Sequence, residues 1–261
     1  MSADRDENKT IRDQFTKQAA SYASLVQQRS DASMALLLET IEPVPTDLVL
    51  DVACGSGSLT LALAMQTAHV VGIDLTPAML EQAKRLQAES NINNIEWQLG
   101  DVAALSFADE RFSLVVSRAA FHHMASPAQV LAEMARVCRI GGRIAVFDLT
   151  PDPAKAIAFN AIEKLRDPSH ARALTATELR ALATGLGVEE ISVTSFTACD
   201  LRLDDVLATS FPEAGAMKKL RRMYSEDAAS GANTLGFNAR QINGKIIIDY
   251  PLTLMVWRRS A

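Results

Sequence analysis

The sequence predicts an α/β fold in which helices cover both faces of a mainly parallel sheet. Between residues 48 and 148, short apolar segments alternate with segments of helical periodicity, as in chains that wind helices around a parallel sheet. The first apolar segment runs into a glycine-rich turn and then into a helix, which is a common ligand-binding arrangement. After residue 148 the alternation gives way to mainly helical segments and a C-terminal hairpin.

Two helices are expected ahead of the first strand. Over residues 11–25, Phe15, Ala19 and Tyr22 follow one another at helical spacings, which places them on one side of a helix. The simplest interpretation is that this stripe packs against the core. A second helix is expected over residues 30–41, because two prolines follow shortly after it and interrupt helical hydrogen bonding.

The central region is expected to contain five strands and three helices. The predicted strands lie at residues 48–53, 69–74, 94–99, 112–117 and 143–148, and the predicted helices at 58–67, 77–90 and 127–139. The Thr76-Pro77 pair is typical of a helix start. The Gly141-Gly142 pair is expected to end the last of these helices and to lead into the fifth strand.

The region after residue 148 follows a different pattern. Helices are expected over residues 151–167, 175–186 and 203–229, a strand over 190–198, and a hairpin with arms at 235–242 and 245–257. Thr175 and Glu178 have the spacing of a capping box. Pro212 and Gly215 interrupt the segment 203–229, and Asn243-Gly244 is a strong signal for the hairpin turn.

Length and composition favour one large cytoplasmic domain. The 261 residues are 48% hydrophobic and 22% charged, with a formal net charge of −5. This acidic balance argues against a nucleic-acid partner, since nucleic-acid-binding proteins usually present a basic surface. The N-terminus lacks the apolar core of a signal peptide, and no apolar run reaches the ~18 residues of a membrane-spanning helix. Three scattered cysteines fit a reduced cytoplasmic protein and have no metal-ligand spacing, so neither a membrane partner nor a metal is expected.

The glycine turn after the first strand predicts a ligand that has no phosphate. Gly55 and Gly57 allow positive φ angles and a close approach of a ligand to the backbone. Thr60 occupies the place of the third glycine of the dinucleotide fingerprint, and no Lys-Ser/Thr pair follows the turn. The carboxylates of Asp51 and Asp74, at the ends of the first two strands, repel phosphate and suit an ammonium group and ribose hydroxyls. The predicted ligand therefore contains a ribose and an amino-acid ammonium group.

The sequence resembles the class I S-adenosylmethionine (SAM) methyltransferases in the motifs that bind the methyl donor. The motifs are DVACGSG at residues 51–57, VGIDLTPAML at 71–80 and GDV at 100–102. The small-molecule branch that includes the ubiquinone and menaquinone biosynthesis methyltransferases is the most similar, from about residue 15 to about residue 195. The order and spacing of the motifs are specific for the donor and not for the methyl acceptor.

This resemblance implies a Rossmann-like sheet of seven strands in the order 3-2-1-4-5-7-6, with strand 7 antiparallel and helices on both faces. Strand 6 then corresponds to residues 190–198 and strand 7 to residues 245–257. Residues 1–45 are expected to form an N-terminal helical lid over the SAM pocket, which is the second interpretation of the stripe formed by Phe15, Ala19 and Tyr22. Residues 46–261 are expected to form the methyltransferase domain, with a helical cap inserted at about residues 200–232.

The resemblance also assigns residues to the SAM site. Asp51 is expected to bind the methionine ammonium group, Asp74 the ribose hydroxyls, and Asp101 the adenine amino group. The other residues expected to bind SAM are Ala53, Gly55, Gly57, Leu75, Met79, Val102, Ser117 and Arg118. The residues alone leave alternatives: Asp74 can cap the next helix, Asp101 can be a plain turn residue, and Met79 can belong to the core. Cys54 is interpreted as a small buried filler rather than a reactive thiol.

The residues expected on the acceptor side have less specific signals. His122 and His123 follow the fourth strand and are candidates for a general base, since imidazole titrates near neutral pH. The alternative is that they form a wall or cap a helix. Arg166 and His170 belong to a polar cluster that either contacts the acceptor or caps a helix end, with Arg166 paired to the next residue. His170 is a third catalytic candidate, and Tyr22 is expected to contact the acceptor.

The predicted activity is transfer of the SAM methyl group to a small-molecule acceptor, with release of S-adenosylhomocysteine (SAH). An NAD(P)-dependent oxidoreductase is the alternative enzyme. Asp51, the missing third glycine and the absence of a Tyr-x-x-x-Lys pair argue against it. A non-catalytic SAM-binding protein and a macromolecular acceptor are further alternatives. A homodimer formed through the C-terminal hairpin is an option that the sequence leaves open.

Overall fold

Eight strands and nine α-helices make up the part of the chain that the computed structural model describes, residues 8–19 and 32–261. The strands are β1 (Leu48–Val52), β2 (His69–Asp74), β3 (Ile95–Leu99), β4 (Phe112–Arg118), β5 (Cys138–Leu149), β6 (Val188–Arg202), β7 (Arg240–Ile242) and β8 (Lys245–Arg259). The helices are α1 (8–19), α2 (Ala32–Ile41), α3 (Ser58–Ala64), α4 (Pro77–Ser90), α5 (Pro127–Val137), α6 (Ala156–Arg166), α7 (Ala176–Ala181), α8 (Leu203–Ala208) and α9 (Ala216–Ser230). Within these ranges, none of the helices combines the length and the apolar character needed to cross a membrane.

The strand order of the sheet is β3-β2-β1-β4-β5-β8-β6, and the short β7 pairs with β8 alone. Strands β1 to β5 are parallel, whereas β8 runs antiparallel to both β5 and β6. The predicted order 3-2-1-4-5-7-6 is therefore confirmed, with β8 as its seventh strand. Because the parallel strands end at one edge, the residues that follow β1, β2, β3 and β4 lie side by side.

Two apolar clusters cover the two faces of the sheet. Leu50 and Val52 of β1 belong to the cluster that contains residues of α5 and α7. Val49, the residue before Leu50, faces the other side of the sheet and belongs to the cluster that contains residues of α2 and α3. Strands buried on both faces in this way are nearly continuous apolar runs, which explains why β1 and β4 were recognisable from the sequence.

The ends of several elements differ from the prediction. Strand β5 begins at Cys138 rather than at residue 143, so the Gly141-Gly142 pair lies inside the strand, beside a bulge opposite Phe112 and Leu114. A side chain at position 142 would meet the Cys138 sulfur at 2.7 Å, so this glycine is required by packing within the strand. Helix α7 stops at Ala181 and strand β6 extends over Val188–Arg202. The predicted capping box of Thr175 and Glu178 is present.

The helical insertion, which comprises α8 and α9, builds a third apolar cluster. Its helices pack with α6 and β8 around stacked rings of Phe159 and Phe237, whose centroids lie 4.3 Å apart. The break between α8 and α9 contains Pro212 and Gly215, as predicted. The hairpin turn at Asn243 and Gly244 has positive φ angles of 49° and 76°, which this type of turn requires.

Candidate ligand-binding and active site

A cavity of about 300 Å³ opens at the carboxyl edge of the parallel strands. Its walls come from the turns that follow β1, β2, β3 and β4 and from one side of α1. Helix α1 contributes Asn8, Ile11 and Phe15. The volume falls within the range of small-molecule sites, and this edge is where open α/β sheets bind ligands.

The turn after β1 exposes backbone without a side chain to the cavity, at Gly55. Gly55 lines the cavity with a φ of 55°, and a Cβ atom added to it would meet no protein atom within 4 Å. Gly57 also has a positive φ, of 84°, but it does not line the cavity. A Cβ atom at Gly57 would lie 2.5 Å from the ring of Trp97. Gly57 is therefore required by packing against β3, which differs from the expected contact with a ligand.

Two alanines beside the cavity have left-handed backbone. Ala53, at the end of β1, has a φ of 58°, and Ala119, at the end of β4, has a φ of 53°. Both line the cavity. This conformation costs an alanine about 1–3 kcal/mol and is concentrated at functional sites, so the surrounding structure holds these two turns in a strained form.

Three carboxylates line the cavity, and their surroundings differ. Asp51 is 1% exposed, and the Thr60 hydroxyl donates to it at 2.6 Å. Burial raises the pKa of Asp51 to about 7. Asp74 accepts the backbone N–H groups of Gly55 and Thr76, both at 2.8 Å, and burial raises its pKa as well. We call Asp51, Asp74 and Asp101 the cavity carboxylates.

Asp101 is the exposed member of the cavity carboxylates. Its side chain accepts the Ala103 N–H group at 2.9 Å, which makes a tight local turn. The Asn8 side chain of α1 donates to its other oxygen at 2.9 Å. Helix α1 is thus connected across the cavity to the turn that follows β3.

The other residues predicted to bind the donor divide into two groups. Ala53, Gly55, Leu75, Met79, Val102 and Arg118 line the cavity, whereas Gly57 and Ser117 do not. Ser117 is 1% exposed, and its hydroxyl donates to the Val52 carbonyl at 2.9 Å, so it joins β4 to β1 instead. Burial raises the pKa of the Cys54 thiol well above its ordinary value. This thiol therefore stays protonated, as expected of an unreactive cysteine. Cys54 is half-buried and lines the cavity, which differs from the expected buried filler.

The two histidines after β4 differ in their partners and in charge. His122 Nδ1 lies 2.6 Å from Asp148, which also accepts the N–H groups of Ala120 and Phe121. Burial by itself would lower the pKa of His122, but the neighbouring Asp148 raises it above its ordinary value. Burial and the adjacent His122 lower the pKa of His123 to about 3. The ring centroids are 4.2 Å apart, and only His123 lines the cavity.

Arg166 and His170 do not line the cavity. Arg166 forms two hydrogen bonds with Glu163, at 3.0 and 2.6 Å, instead of the expected pair with the next residue. Glu163 is fully buried and also accepts the Tyr250 hydroxyl at 2.9 Å. His170 is fully buried, and its Nε2 lies 2.7 Å from the Asn160 side chain. Both residues serve the packing of α6, and Tyr22 lies outside the described residues.

Sequence reasoning missed Asp148, which holds the turn that carries both histidines. It lies at the end of β5, and the same rule that selected Asp51 and Asp74, a carboxylate at a strand end, would have found it. Asp167 and Ser169 were also missed as partners of His123. Both belong to the polar cluster that the sequence analysis singled out through Arg166 and His170, but nothing in the sequence linked that cluster to His123.

Comparison with known proteins identifies a shared domain. Residues 49–142 match the methyltransferase domain model. YcgJ of Bacillus subtilis strain 168, an uncharacterised methyltransferase, is 30% identical over 170 residues, which are 64% of this chain and 67% of YcgJ. Demethylmenaquinone methyltransferase of Symbiobacterium thermophilum is 38% identical over 119 residues, 44% of this chain and 47% of that protein. The chain spans about half the length of the latter relative.

The similarity in structure extends over more of the chain. BH2331 of Bacillus halodurans C-125, a protein assigned as a methyltransferase, superimposes with a TM-score of 0.80 at 26% identity, over 89% of this chain and 100% of its own. The YcgJ structure superimposes with a TM-score of 0.77 at 24% identity, over 88% of this chain and 98% of its own. The shared fold thus includes the C-terminal region as well as the matched domain.

Proposed function

Because the chain belongs to the class I SAM-dependent methyltransferases, we propose that it transfers the methyl group of SAM to a small-molecule acceptor and releases SAH. The observation that supports this most is the set of cavity carboxylates beside the bare backbone of Gly55. A small acceptor is favoured by the cavity volume of about 300 Å³ and by the net charge of −5. None of these features favours a nicotinamide cofactor or a polyanionic acceptor.

The residues around the cavity fit the cationic donor. Among the described residues, the buried side chain of Asp51 accepts a single hydrogen bond, from Thr60. A buried carboxylate with one donor is poorly compensated, and an ammonium group would complete it. We assign Asp74 to the ribose hydroxyls and Asp101 to the adenine amino group, with the Val102 N–H on the adenine ring. The remaining contacts are assigned to Ala53, Gly55, Leu75, Met79 and Arg118.

Helix α1 is proposed as the described part of a lid formed by residues 1–45. Its support is the pair of contacts that α1 makes across the cavity: Asn8 donates to Asp101, and the Phe15 ring meets the His123 ring edge-on at 4.8 Å. Gln14 of the same helix donates to the Phe211 carbonyl at 3.3 Å, between α8 and α9. The helical insertion is the cap proposed at about residues 200–232, and it supports the lid through this contact. Within the described chain, none of its residues lines the cavity.

When bound, SAM supplies an electrophilic methyl group on a positively charged sulfur. The chain must hold the acceptor in line with that methyl group and exclude water, and such positioning can supply roughly 7–11 kcal/mol of the barrier. An oxygen, carbon or thiol acceptor must also lose a proton. We propose that His123 is the general base that accepts this proton, because His123 lines the cavity. His122 and Asp148 hold the turn behind it.

SAM binding should depend on pH through Asp51. With a pKa of about 7 in the free protein, Asp51 is mostly protonated at pH 6 and must lose that proton to receive an ammonium group. SAH affinity should therefore fall about tenfold from pH 8 to pH 6, with proton release detected by calorimetry in buffers of different ionisation enthalpy. Asp51→Asn should bind SAH more weakly and with no pH dependence in this window. An Asp51→Asn variant that keeps the wild-type pH profile would assign the dependence to another group.

The acceptor class is tested by an SAH-release assay on a fractionated metabolite extract, followed by mass identification of the product that has gained CH₂. We expect release with a small-molecule fraction and none with protein or RNA fractions. Release with a macromolecular fraction alone would contradict the small-molecule acceptor. Calorimetry with SAH and NADH tests the donor separately, and NADH binding without SAH binding would contradict the whole assignment.

A further inference from the structure

We propose that His123 is held in one neutral tautomer, whose Nε2 accepts a hydrogen bond from a hydroxyl group of the methyl acceptor. Ser169 and Asp167 are the positioning residues that select this tautomer. The proposal rests on the proposed function and adds the class of acceptor, an alcohol, enol or phenol, to it.

The tautomer follows from a chain of hydrogen bonds behind the His123 ring. The Ser169 hydroxyl donates to Asp167 Oδ1 at 2.5 Å, a distance typical of a hydroxyl bound to a carboxylate. A hydroxyl has a single hydrogen, so toward His123 Nδ1, 3.1 Å away, it can only accept. The hydrogen of the neutral imidazole therefore lies on Nδ1, and Nε2 keeps its lone pair.

Asp167 stays ionised, as this chain of hydrogen bonds requires. Burial would raise the pKa of Asp167, but a charge on His123, the charge of Arg166 and the hydrogen bonds from Ser169 and Gln18 lower that pKa below its ordinary value. When His123 is neutral, Arg166 and the hydrogen bonds still favour the carboxylate. Three donors surround it: the N–H and the hydroxyl of Ser169, and the side chain of Gln18 at 2.9 Å. Because Gln18 lies on α1, the helix proposed as the lid takes part in holding the carboxylate.

The other side of the His123 ring faces the cavity. His123 is part of the cavity wall, and no residue in the described ranges hydrogen bonds to its Nε2. His122, in ring contact behind it, has a raised pKa through Asp148. Two touching imidazoles do not both become charged readily, so His123 remains the neutral member. On the cavity side, His123 can therefore accept a hydrogen bond through Nε2 but cannot donate one.

Because Nε2 of His123 can accept a hydrogen bond but not donate one, it favours a methyl acceptor that carries a donor. A hydroxyl can donate to Nε2 and still direct an oxygen lone pair at the methyl group. A carboxylate or an ether has no hydrogen to donate, an alkylammonium group has no lone pair, and a thiol is a weak donor. As the O–CH₃ bond forms and the S–CH₃ bond breaks, the electron pair of the broken bond stays on sulfur. The hydroxyl proton passes to Nε2 as the methyl group is transferred. The transient imidazolium is repelled by His122, and the Nδ1 hydrogen bond to Ser169 and the charge of Asp167 offset that repulsion.

The tautomer is measurable without knowledge of the acceptor. Long-range ¹H–¹⁵N spectra of the ¹⁵N-labelled full chain report each of the four histidines, and His123→Gln identifies the resonances of His123. We expect a protonated Nδ1 and an unprotonated Nε2 near pH 7. A protonated Nε2 or an imidazolium would overturn the proposal. Calorimetric SAH binding in the same sample tests the proposed function independently.

Ser169→Ala removes the positioning hydroxyl and should shift His123 toward the Nε2–H tautomer. With the acceptor identified by SAH release, kcat/KM should fall about tenfold while SAH affinity changes less than about twofold. Ser169→Thr should restore both readouts. Ser210→Ala removes a similarly buried hydroxyl, which binds Arg166, and should leave the tautomer unchanged. An unchanged tautomer in Ser169→Ala, or a product methylated on nitrogen, sulfur or carbon, would contradict the proposal.

Discussion

Replacing Asp74 by alanine should weaken SAH binding at least about 100-fold. In the proposed complex its carboxylate accepts both ribose hydroxyls, and hydrogen bonds to a charged group contribute about 1.5–3 kcal/mol each. The same carboxylate accepts the N–H groups of Gly55 and Thr76, so its removal also loosens the turn that approaches the ligand. Calorimetric titration with SAH measures the loss, and a parallel thermal melt reports whether the variant remains folded.

The matched control for Asp74 is Glu96→Ala. Glu96 lies on the neighbouring strand β3, with its side chain 52% exposed, and it is not part of the cavity wall. Glu96→Ala should leave the SAH affinity within about twofold of the wild-type value. If Asp74→Ala binds SAH as tightly as the wild type, Asp74 acts as the cap of α4 alone, which was the alternative that the sequence left open.

Replacing His123 by alanine should lower kcat by about 10²–10⁴-fold, the usual contribution of a general base, while SAH affinity changes little. The reason is that His123 is the histidine that borders the cavity, whereas the proposed donor contacts lie on the cavity carboxylates. SAH release under saturating SAM, with the acceptor found in the extract assay, measures kcat. Calorimetry with SAH separates a loss of catalysis from a loss of donor binding.

Two other histidines serve as controls for His123. His69 lies at the start of β2, with its side chain 39% exposed, and His69→Ala should leave kcat unchanged. His122→Ala removes the partner of Asp148 and should lower kcat less than His123→Ala. A larger loss in His122→Ala than in His123→Ala would reverse the assignment and make the pair of His122 and Asp148 the base.

The parallel strands and the strand-end positions of the cavity carboxylates were predictable from local sequence, whereas the order of the strands came from the resemblance to the methyltransferases. Apolar runs that alternate with helical periods define parallel strands, and a residue at the end of such a strand lies at the ligand-binding edge whatever the distant chain does. The sequence therefore predicts that Asp51, Asp74 and Asp101 lie at one edge, and all three line one cavity in the structure. The Asn243-Gly244 turn and the capping box of Thr175 were predictable for the same local reason.

Roles that depend on distant neighbours were decided by tertiary structure alone. Gly57 is constrained by Trp97, Glu163 accepts the hydroxyl of the distant Tyr250, and His170 is buried in the interior. The adjacent imidazoles of His122 and His123 have opposite pKa shifts. Their sequence environment is nearly identical. Asp148 of β5 raises the pKa of His122, whereas burial and the neighbouring His122 lower the pKa of His123. Local sequence determines where the backbone goes, whereas burial and charge at a side chain depend on residues far along the chain, so they emerge only when the fold is assembled.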